Sequence, residues 1–182
     1  MDRIRIHGRG GQGAVTTGQI IAMAAFHDGK EVMTFPMFGV ERAGAPVQAF
    51  VRIDDKPINN RSQIYHPNIV MVLDASLLDV IDVTQGMSQD GLIIINSNKD
   101  PKDLKIKGKM NIRCIDATSI ALDIFKKPIV NTPIIGAFSA LTGLVTLGSL
   151  KKAINEKFAA TKGDHIAELN RLAVERVYHL IK

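Results

Sequence analysis

Near its N-terminus the chain reads Arg3-Ile4-Arg5-Ile6-His7-Gly8-Arg9-Gly10-Gly11-Gln12-Gly13. The alternation of charged and apolar residues up to His7 predicts a β-strand, and the glycines that follow predict a tight loop. The next segment, residues 14–26, is rich in Ala, Ile and Met and predicts a helix packed on a sheet, with Gly29 suited to cap its C-terminus. A strand, a glycine-rich loop and a helix in this order are typical of an α/β domain.

Later segments alternate in the same way between strand-like and helix-like patterns. The predicted strands are 31–35, 47–53, 69–73, 92–95 and 112–115, and the predicted helices are 76–83, 119–125, 133–147, 150–158 and 166–181, with Ser149 and Asp164 as candidate caps of the last two. Because the connection 36–46 is too short for a crossover helix, we expect strand 47–53 to be antiparallel to its neighbour. The sequence therefore predicts one domain over residues 1–182, a three-layer α/β/α Rossmann-like fold with a mixed, mostly parallel sheet.

The composition narrows the class of protein. With 46% hydrophobic and 23% charged residues the chain has an ordinary globular composition, and no apolar run is long enough to cross a bilayer. No signal-peptide pattern stands at the N-terminus, so we expect a cytoplasmic protein without a membrane partner. The single cysteine, Cys114, excludes an intrachain disulfide, a Cys-only zinc site and an iron–sulfur cluster held by this chain alone.

The net charge of +5 does not predict nucleic-acid binding. The densest basic run, between Lys99 and Arg113, is diluted by Asp100 and Asp103 and has neither a helical basic stripe nor stacking aromatic residues, so we interpret it as a solvated loop. No arrangement of His, Cys and Ser in the sequence indicates a nucleophile, and we expect the histidines to be structural or exposed. We therefore predict no metal ligands and no catalytic residues on this chain.

The glycine loop, Gly8–Gly13, fits the dinucleotide pattern Gly-x-Gly-x-x-Gly between a strand and a helix. That pattern also needs an acidic residue at the end of the second strand to bind a ribose, and the chain has Thr34-Phe35-Pro36 there. Three interpretations remain open: a bound dinucleotide, a turn needed for packing, or a contact with a partner subunit or with a substrate's phosphate. Arg9 and Gln12 carry side chains that could make such a contact.

The second loop, Phe35–Pro46, reads Phe-Pro-Met-Phe-Gly-Val-Glu-Arg-Ala-Gly-Ala-Pro. Its glycines and prolines fit an exposed connection, but apolar residues such as Met37 and Phe38 favour burial against this domain or a partner. The adjacent Glu41 and Arg42 could pair across an interface or be solvated. The pattern favours a loop that contacts a partner.

The two loops together resemble a known family. Gly8–Gly13, followed by Phe38-Gly39-Val40-Glu41-Arg42 and Gly44-Ala45-Pro46-Val47, resembles the gamma chain of pyruvate:ferredoxin oxidoreductase, a module that also occurs inside single-chain versions. The resemblance covers essentially the whole chain. In the 2-oxoglutarate branch of the family Ala-Arg-Gly-Gly tends to follow the acid of the second loop, whereas residues 42–46 here are similar to the pyruvate or branched-chain branch.

The resemblance implies a role inside a larger enzyme. In this family a 2-oxoacid adds to thiamine diphosphate, bound with magnesium, and is decarboxylated; electrons leave through [4Fe-4S] clusters to ferredoxin, and the acyl group passes to coenzyme A. The resemblance implies that alpha, beta and delta-type subunits surround this chain, that other subunits hold the cofactors, and that none is bound by this chain alone. The alternative is a stand-alone nucleotide-binding or regulatory Rossmann-like domain.

We expect a single surface of the domain to contact coenzyme A or a partner subunit. If the first two strands are parallel neighbours, both loops lie at the same edge of the sheet, where Arg42, and less directly Arg9, could bind a phosphate of coenzyme A. The residues that we expect to contact coenzyme A or a partner subunit are Arg9, Gly10, Gly11, Gln12, Gly13, Met37, Phe38, Gly39, Glu41 and Arg42.

Overall fold

The computed structural model describes residues 1–37, 42–106, 108 and 110–182. The strands are β1 (Asp2–Arg9), β2 (Glu31–Pro36), β3 (Pro46–Asp54), β4 (Ile69–Val72), β5 (Leu92–Asn96) and β6 (Asn111–Ile115). The α-helices are α1 (Ala14–His27), α2 (Ala117–Phe125), α3 (Pro133–Thr142), α4 (Leu147–Lys162) and α5 (Asp164–Ile181). Two short 3₁₀ helices cover Ala75–Asp79 and Pro101–Asp103.

The strands form one sheet in the order β2-β3-β1-β4-β5-β6. Strand β3 is antiparallel to both β1 and β2, and β1, β4, β5 and β6 run parallel. The mixed, mostly parallel sheet and the antiparallel β3 are therefore confirmed. The expectation that the first two strands are neighbours is wrong, because β3 lies between them. Two antiparallel steps restore the direction, so β1 and β2 still end at the same edge.

The two faces of the sheet are covered differently. One hydrophobic cluster joins buried residues of all five named α-helices to one face, through side chains such as Ile6, Met71 and Ile94. On the opposite face, Val70, Val72 and neighbours pack under the 3₁₀ helix Ala75–Asp79 and connecting segments. The α/β class is confirmed, and in the described residues the third layer consists of 3₁₀ helices and connections.

Local hydrogen bonds explain where the helices end. The predicted helix at 76–83 is the shorter 3₁₀ helix Ala75–Asp79, and beyond its end the Asp82 side chain accepts a hydrogen bond from the Thr84 amide, which favours a turn there. Helix α3 stops at Thr142 instead of 147, because Gly143 follows with a φ of 64°. Gly29, with a φ of 77°, closes α1 as expected.

The predicted caps of the last two helices are corrected. Thr146, not Ser149, caps α4: its hydroxyl accepts from the Ser149 amide at 3.1 Å. The Asp28 carboxylate accepts from the amide and hydroxyl of Thr146, which ties the end of α1 to the start of α4. Asp164 is the first residue of α5, and Gly163 holds the cap position without a side-chain bond.

A buried polar pair lies on β1, on the face away from the α-helices. Arg5 Nε donates to His7 Nε2 at 3.1 Å, and Arg5 Nη2 donates to the carbonyls of Val83 and Gln85. Burial and the charge of Arg5 lower the pKa of His7 to about 3. His7 is therefore neutral near pH 7 and belongs to the packing of the sheet.

Candidate functional site

The glycine loop turns the chain from β1 into α1. Gly11 and Gly13 have φ angles of 93° and 82°, in the left-handed region that glycine enters at least cost. Gly13 is the N-cap of α1 and offers no side chain to the helix. Among the described residues, no acceptor is recorded for the amides of Ala14, Val15 and Thr16. The start of α1 therefore presents free N–H donors.

The second loop packs directly on the glycine loop, backbone to backbone. The Gly10 amide donates to the Ala45 carbonyl at 2.8 Å, and the Gly44 amide donates to the Gly10 carbonyl at 3.1 Å. A Cβ atom on Gly10 would lie 2.3 Å from the Arg42 carbonyl oxygen. The two loops thus form one continuous surface at the edge where β1 and β2 end.

Arg9 and Gln12 are directed into the protein. Arg9 Nε donates to Asp74 Oδ2 at 3.1 Å, Nη1 to the Gly44 carbonyl at 3.0 Å and Nη2 to Ser76 Oγ at 2.8 Å. Gln12 Nε2 donates to the same Asp74 oxygen at 2.9 Å. Arg9 therefore links the glycine loop, the second loop and the segment after β4.

Asp74 is the anchor that the sequence analysis missed. Burial opposes its ionisation, but hydrogen bonds from Ser76 and Gln12 and the charge of Arg9 outweigh it and lower the pKa of this carboxyl below its usual range. The available signal was its position, two residues after the end of a buried parallel strand. Polar residues at that edge of an α/β sheet commonly face the functional crevice.

The second loop turns side chains outward. Met37 is 41% exposed, and Arg42 is exposed with no acceptor recorded for its guanidinium within the described part of the chain. Phe35 instead packs on Phe50, with ring centroids 5.3 Å apart. The predicted contact residues Phe38, Gly39 and Glu41 lie outside the described residues.

Two clefts flank the glycine loop and share Gln12. The strand-end crevice, of about 610 Å³, follows the ends of β4, β5 and β6 and is lined by residues that include Asp74, Asn96, Lys99 and Asp116. The helical cleft, of about 660 Å³, lies between the start of α1 and helices α4 and α5. Its lining includes Asn131 and Thr132 at the start of α3, which the sequence analysis did not single out.

The geometry next to β1 differs from that of a dinucleotide site. The strand beside β1 on this side is β3, which begins at Pro46 opposite Arg9. A parallel strand ending in an acidic residue would be needed there to bind a ribose. The second loop also packs on Gly10. The arrangement therefore favours the interpretation that the glycine loop is a packing turn, which also presents N–H donors at the start of α1.

The donor set of the described residues does not fit a metal cofactor. No group of three or more His, Cys, Asp or Glu residues in 1–37, 42–106, 108 and 110–182 could hold a metal ion. Cys114 is the one cysteine of the chain, and a [4Fe-4S] cluster takes four thiolates. Burial raises the pKa of the Cys114 thiol, which disfavours the thiolate. No helix among these residues has the length and apolarity to cross a membrane.

Comparisons with known proteins indicate the same family as the resemblance drawn from the two loop sequences. Residues 3–180 match the family described as "Pyruvate ferredoxin/flavodoxin oxidoreductase". Pyruvate synthase subunit PorC of Methanothermobacter thermautotrophicus is 50% identical over 180 residues, covering 99% of this chain and 98% of its own. The "Pyruvate/ketoisovalerate oxidoreductases common subunit gamma" of Thermococcus kodakarensis is 51% identical over 182 residues, covering 98% of this chain and 96% of its own.

A solved structure shares the fold as well as the sequence. The crystal structure of pyruvate oxidoreductase subunit PORC from Thermotoga maritima superposes with a TM-score of 0.84 at 38% identity, covering 98% of this chain and 95% of that one. These similarities extend over nearly the whole chain and confirm the resemblance drawn from the two loops. The chain belongs to the pyruvate ferredoxin/flavodoxin oxidoreductase family.

Proposed function

We propose that this chain is the gamma subunit of a 2-oxoacid:ferredoxin oxidoreductase, most directly one that acts on pyruvate. The observation that carries the proposal is the end-to-end identity of about half with the gamma and PorC subunits. The single gamma-type domain, residues 1–182, completes a cytoplasmic complex with alpha, beta and delta-type subunits. Those subunits hold thiamine diphosphate, magnesium and the [4Fe-4S] clusters and pass electrons to ferredoxin.

Within that complex the second loop contacts a partner subunit. Met37 projects from the end of β2, held in place because its amide donates to the Gln48 carbonyl at 2.9 Å. An exposed methionine on a firmly bonded backbone suits a buried interface, since the backbone at Met37 does not have to be ordered on association. Phe38 and Gly39 follow it in the sequence.

Coenzyme A is the ligand that this surface is proposed to help bind. Arg42 offers a planar pair of donors that fits a phosphate, and it stands one residue before the turn that packs on Gly10. Arg9 has each of its three guanidinium nitrogens donating to protein acceptors. We therefore assign the phosphate contact to Arg42 and a positioning role to Arg9.

The assembly test is Met37→Asp in the full set of subunits. Because a carboxylate buried without a partner costs several kcal/mol, association should weaken strongly while the isolated chain keeps its circular dichroism spectrum. Tyr65→Asp is a matched control, since Tyr65 is also exposed but lies in the connection between β3 and β4. Co-purification of Met37→Asp with the other subunits at the yield of the unaltered chain would argue against a buried contact at Met37.

The ligand test is Arg42→Ala in the assembled enzyme, with coenzyme A varied at saturating pyruvate. Loss of a charge-assisted contact should raise the KM for coenzyme A by about tenfold, with 2-oxoacid-dependent electron transfer otherwise intact. Arg61→Ala, which removes a charge from the connection between β3 and β4, should leave that KM unchanged. An unchanged KM for Arg42→Ala in an intact complex would leave Arg42 only an interface role.

A further inference from the structure

Two arginines lie directly opposite each other on the face of the sheet away from the α-helices. Arg3 on β1 and Arg52 on β3 are cross-strand partners in the antiparallel register. Their side chains share this face because their neighbours Ile4 and Val51 pack into the cluster that joins the other face to the α-helices. Like charges in such opposed positions repel each other and destabilise a sheet. The pair therefore indicates a site that receives a negative charge.

Arg52 is the buried member of the pair, and one of its nitrogens has no acceptor. The residue is 2% exposed, and its Nη2 donates to the Ser62 carbonyl at 2.6 Å. Its Nη1 is buried and has no hydrogen-bond partner among the described residues. The Phe35 ring centroid lies 5.6 Å from Arg52 Cζ, which favours the charge but supplies no oxygen acceptor. Buried donors of this kind are rarely left unpaired in proteins.

A cleft of about 400 Å³ opens at the two arginines, and we call it the Arg52 cleft. Its volume is in the range of small-molecule sites in proteins. No Asp or Glu appears in its described lining, which has both apolar side chains and side-chain amides. Besides the two arginines, the lining includes Met1, Asn60, Gln63, Ile64 and Tyr65. The cleft lies at the start of β1, at the opposite end of that strand from the glycine loop.

The charge of the two arginines is not offset within the described part of the chain. Burial and the charge of Arg3 lower the pKa of Arg52, and no carboxylate of the described residues is recorded as opposing this. An arginine nevertheless stays protonated at neutral pH. The N-terminal ammonium of Met1 has a partner of its own, the Asp54 carboxylate at 3.5 Å. Because a buried cation normally has an anion beside it, the balancing charge is expected from a second molecule.

We propose that the Arg52 cleft binds a small organic carboxylate, with the carboxylate group between Arg52 and Arg3. Arg52 Nη1 donates to a carboxylate oxygen in a charge-assisted hydrogen bond, and Arg3 balances the charge from the exposed side. The apolar side chains of the wall accommodate the organic part of the ligand. A singly charged carboxylate is favoured over a phosphate, because a second charge costs more to desolvate beside a buried group. The cleft lies away from both loops, so the site does not depend on the proposed assembly.

The test is a titration of the full-length, ¹⁵N-labelled chain with isobutyrate, acetate and inorganic phosphate in turn, at constant ionic strength. Isobutyrate should give saturable shifts at the Arg52 Nε–H and at the amides of Ser62, Gln63 and Ile64. Acetate should bind about tenfold more weakly, because it leaves the apolar wall uncovered. Phosphate should also bind more weakly than isobutyrate. The absence of a saturable shift with either carboxylate, or tighter binding of phosphate than of isobutyrate, would overturn the site.

Arg3→Gln tests the charge at the rim of the cleft, with Arg61→Gln as its matched control. Both arginines are exposed, but only Arg3 lines the Arg52 cleft. Arg3→Gln should weaken isobutyrate binding by about threefold, and Arg61→Gln should leave it unchanged. Arg52→Met removes the buried donor and should abolish saturable binding in a chain whose circular dichroism spectrum is unchanged. Equal weakening by Arg3→Gln and Arg61→Gln would overturn the site, whether or not the Arg52 variant folds.

The carboxylate of a partner subunit's Asp or Glu is the alternative occupant, and the assembled enzyme separates the two. Saturation-transfer difference NMR measures isobutyrate binding to the unaltered assembled enzyme and to one that carries Arg3→Gln. A signal that falls in the Arg3→Gln enzyme supports a small-molecule site that stays open on assembly. Equal signals from the two enzymes would mean that a partner fills the cleft, and would overturn its assignment to a small molecule.

Discussion

The glycine loop and the second loop meet backbone to backbone, yet their side chains are used in opposite ways. In the glycine loop, Arg9 and Gln12 turn inward to Asp74. In the second loop, Met37 and Arg42 turn outward and are exposed. Both loops are rich in glycine and carry an arginine, so composition alone does not separate them. The difference shows that the side chains of the glycine loop hold the surface together, and it supports the proposal that the second loop supplies the contacts with a partner.

The largest loss of stability is expected from a substitution at Gly10, where the two loops are in contact. Gly10→Ala would place a Cβ 2.3 Å from the Arg42 carbonyl, so the second loop must shift, and we expect a loss of roughly 3 kcal/mol in the free energy of unfolding. Gly11→Ala is the control: it has a φ of 93° but no atom within 4 Å of its Cβ position. That change should cost about 1–2 kcal/mol, from backbone strain alone. Urea unfolding that gave equal losses would contradict the tight approach of the loops.

His7, on strand β1, should make the free energy of unfolding depend on pH, by about 2 kcal/mol. The pKa of His7 is about 3 in the folded chain, below its ordinary value near 6.5. Between these values the unfolded chain holds a proton that the folded chain lacks, so stability falls as the pH falls. From pH 6.5 to 5 the free energy of unfolding should drop by roughly 2 kcal/mol from this group.

Chemical unfolding of His7→Gln at several pH values checks that assignment. The variant should show a smaller decrease of stability over the same pH range, whatever its stability at pH 7. His165→Gln, at an exposed position at the start of α5, should keep the decrease of the unaltered chain. A His7→Gln variant with an unchanged pH dependence would mean that other groups cause it.

Asp74→Asn should cause a smaller loss of stability, through the contacts that hold the glycine loop. The amide keeps the shape of the side chain but removes the charge that accepts hydrogen bonds from Arg9 and Gln12. Because the carboxylate is partly exposed, we expect a loss of about 1.5 kcal/mol. Asp79→Asn, at the end of the 3₁₀ helix that Asp74 caps and paired only with exposed Lys105 in the described structure, should cost less than about 0.5 kcal/mol. Thermal unfolding of both variants measures the difference.

Local sequence patterns were enough to predict most strands and helices and the positions of the two loops. The alternation in residues 3–7 and the glycines after it predicted β1, the turn and α1, and the short connection 36–46 predicted the antiparallel β3. These features depend on residues that are near in sequence. Even so, the helix predicted over 76–83 is only the 3₁₀ helix Ala75–Asp79, and Asp82 forms a turn with Thr84 beyond its end.

Features that depend on distant segments were not predicted. Nothing local in β1 or β2 indicates that β3 inserts between them, since strand order is set by the packing of the whole sheet. Asp74 acquires its role only because β4 lies beside β1. Asn131 is separated from Gly13 by more than a hundred residues, and the cleft that they share exists only once α3 has packed. Local patterns therefore predicted the two loops of the site, whereas the residues that pack against them are determined by the fold.

Amide hydrogen exchange of this chain, free and assembled with its partner subunits, tests the division between the loops most directly. In the free chain the Gly10 and Gly44 amides should already exchange slowly, because they bond to carbonyls across the two loops. On assembly, protection should rise at the amides of Arg42 and Ala43, for which no acceptor is recorded among the described residues, with little change in the glycine loop. Unchanged exchange across the second loop on assembly would contradict its role as the contact surface.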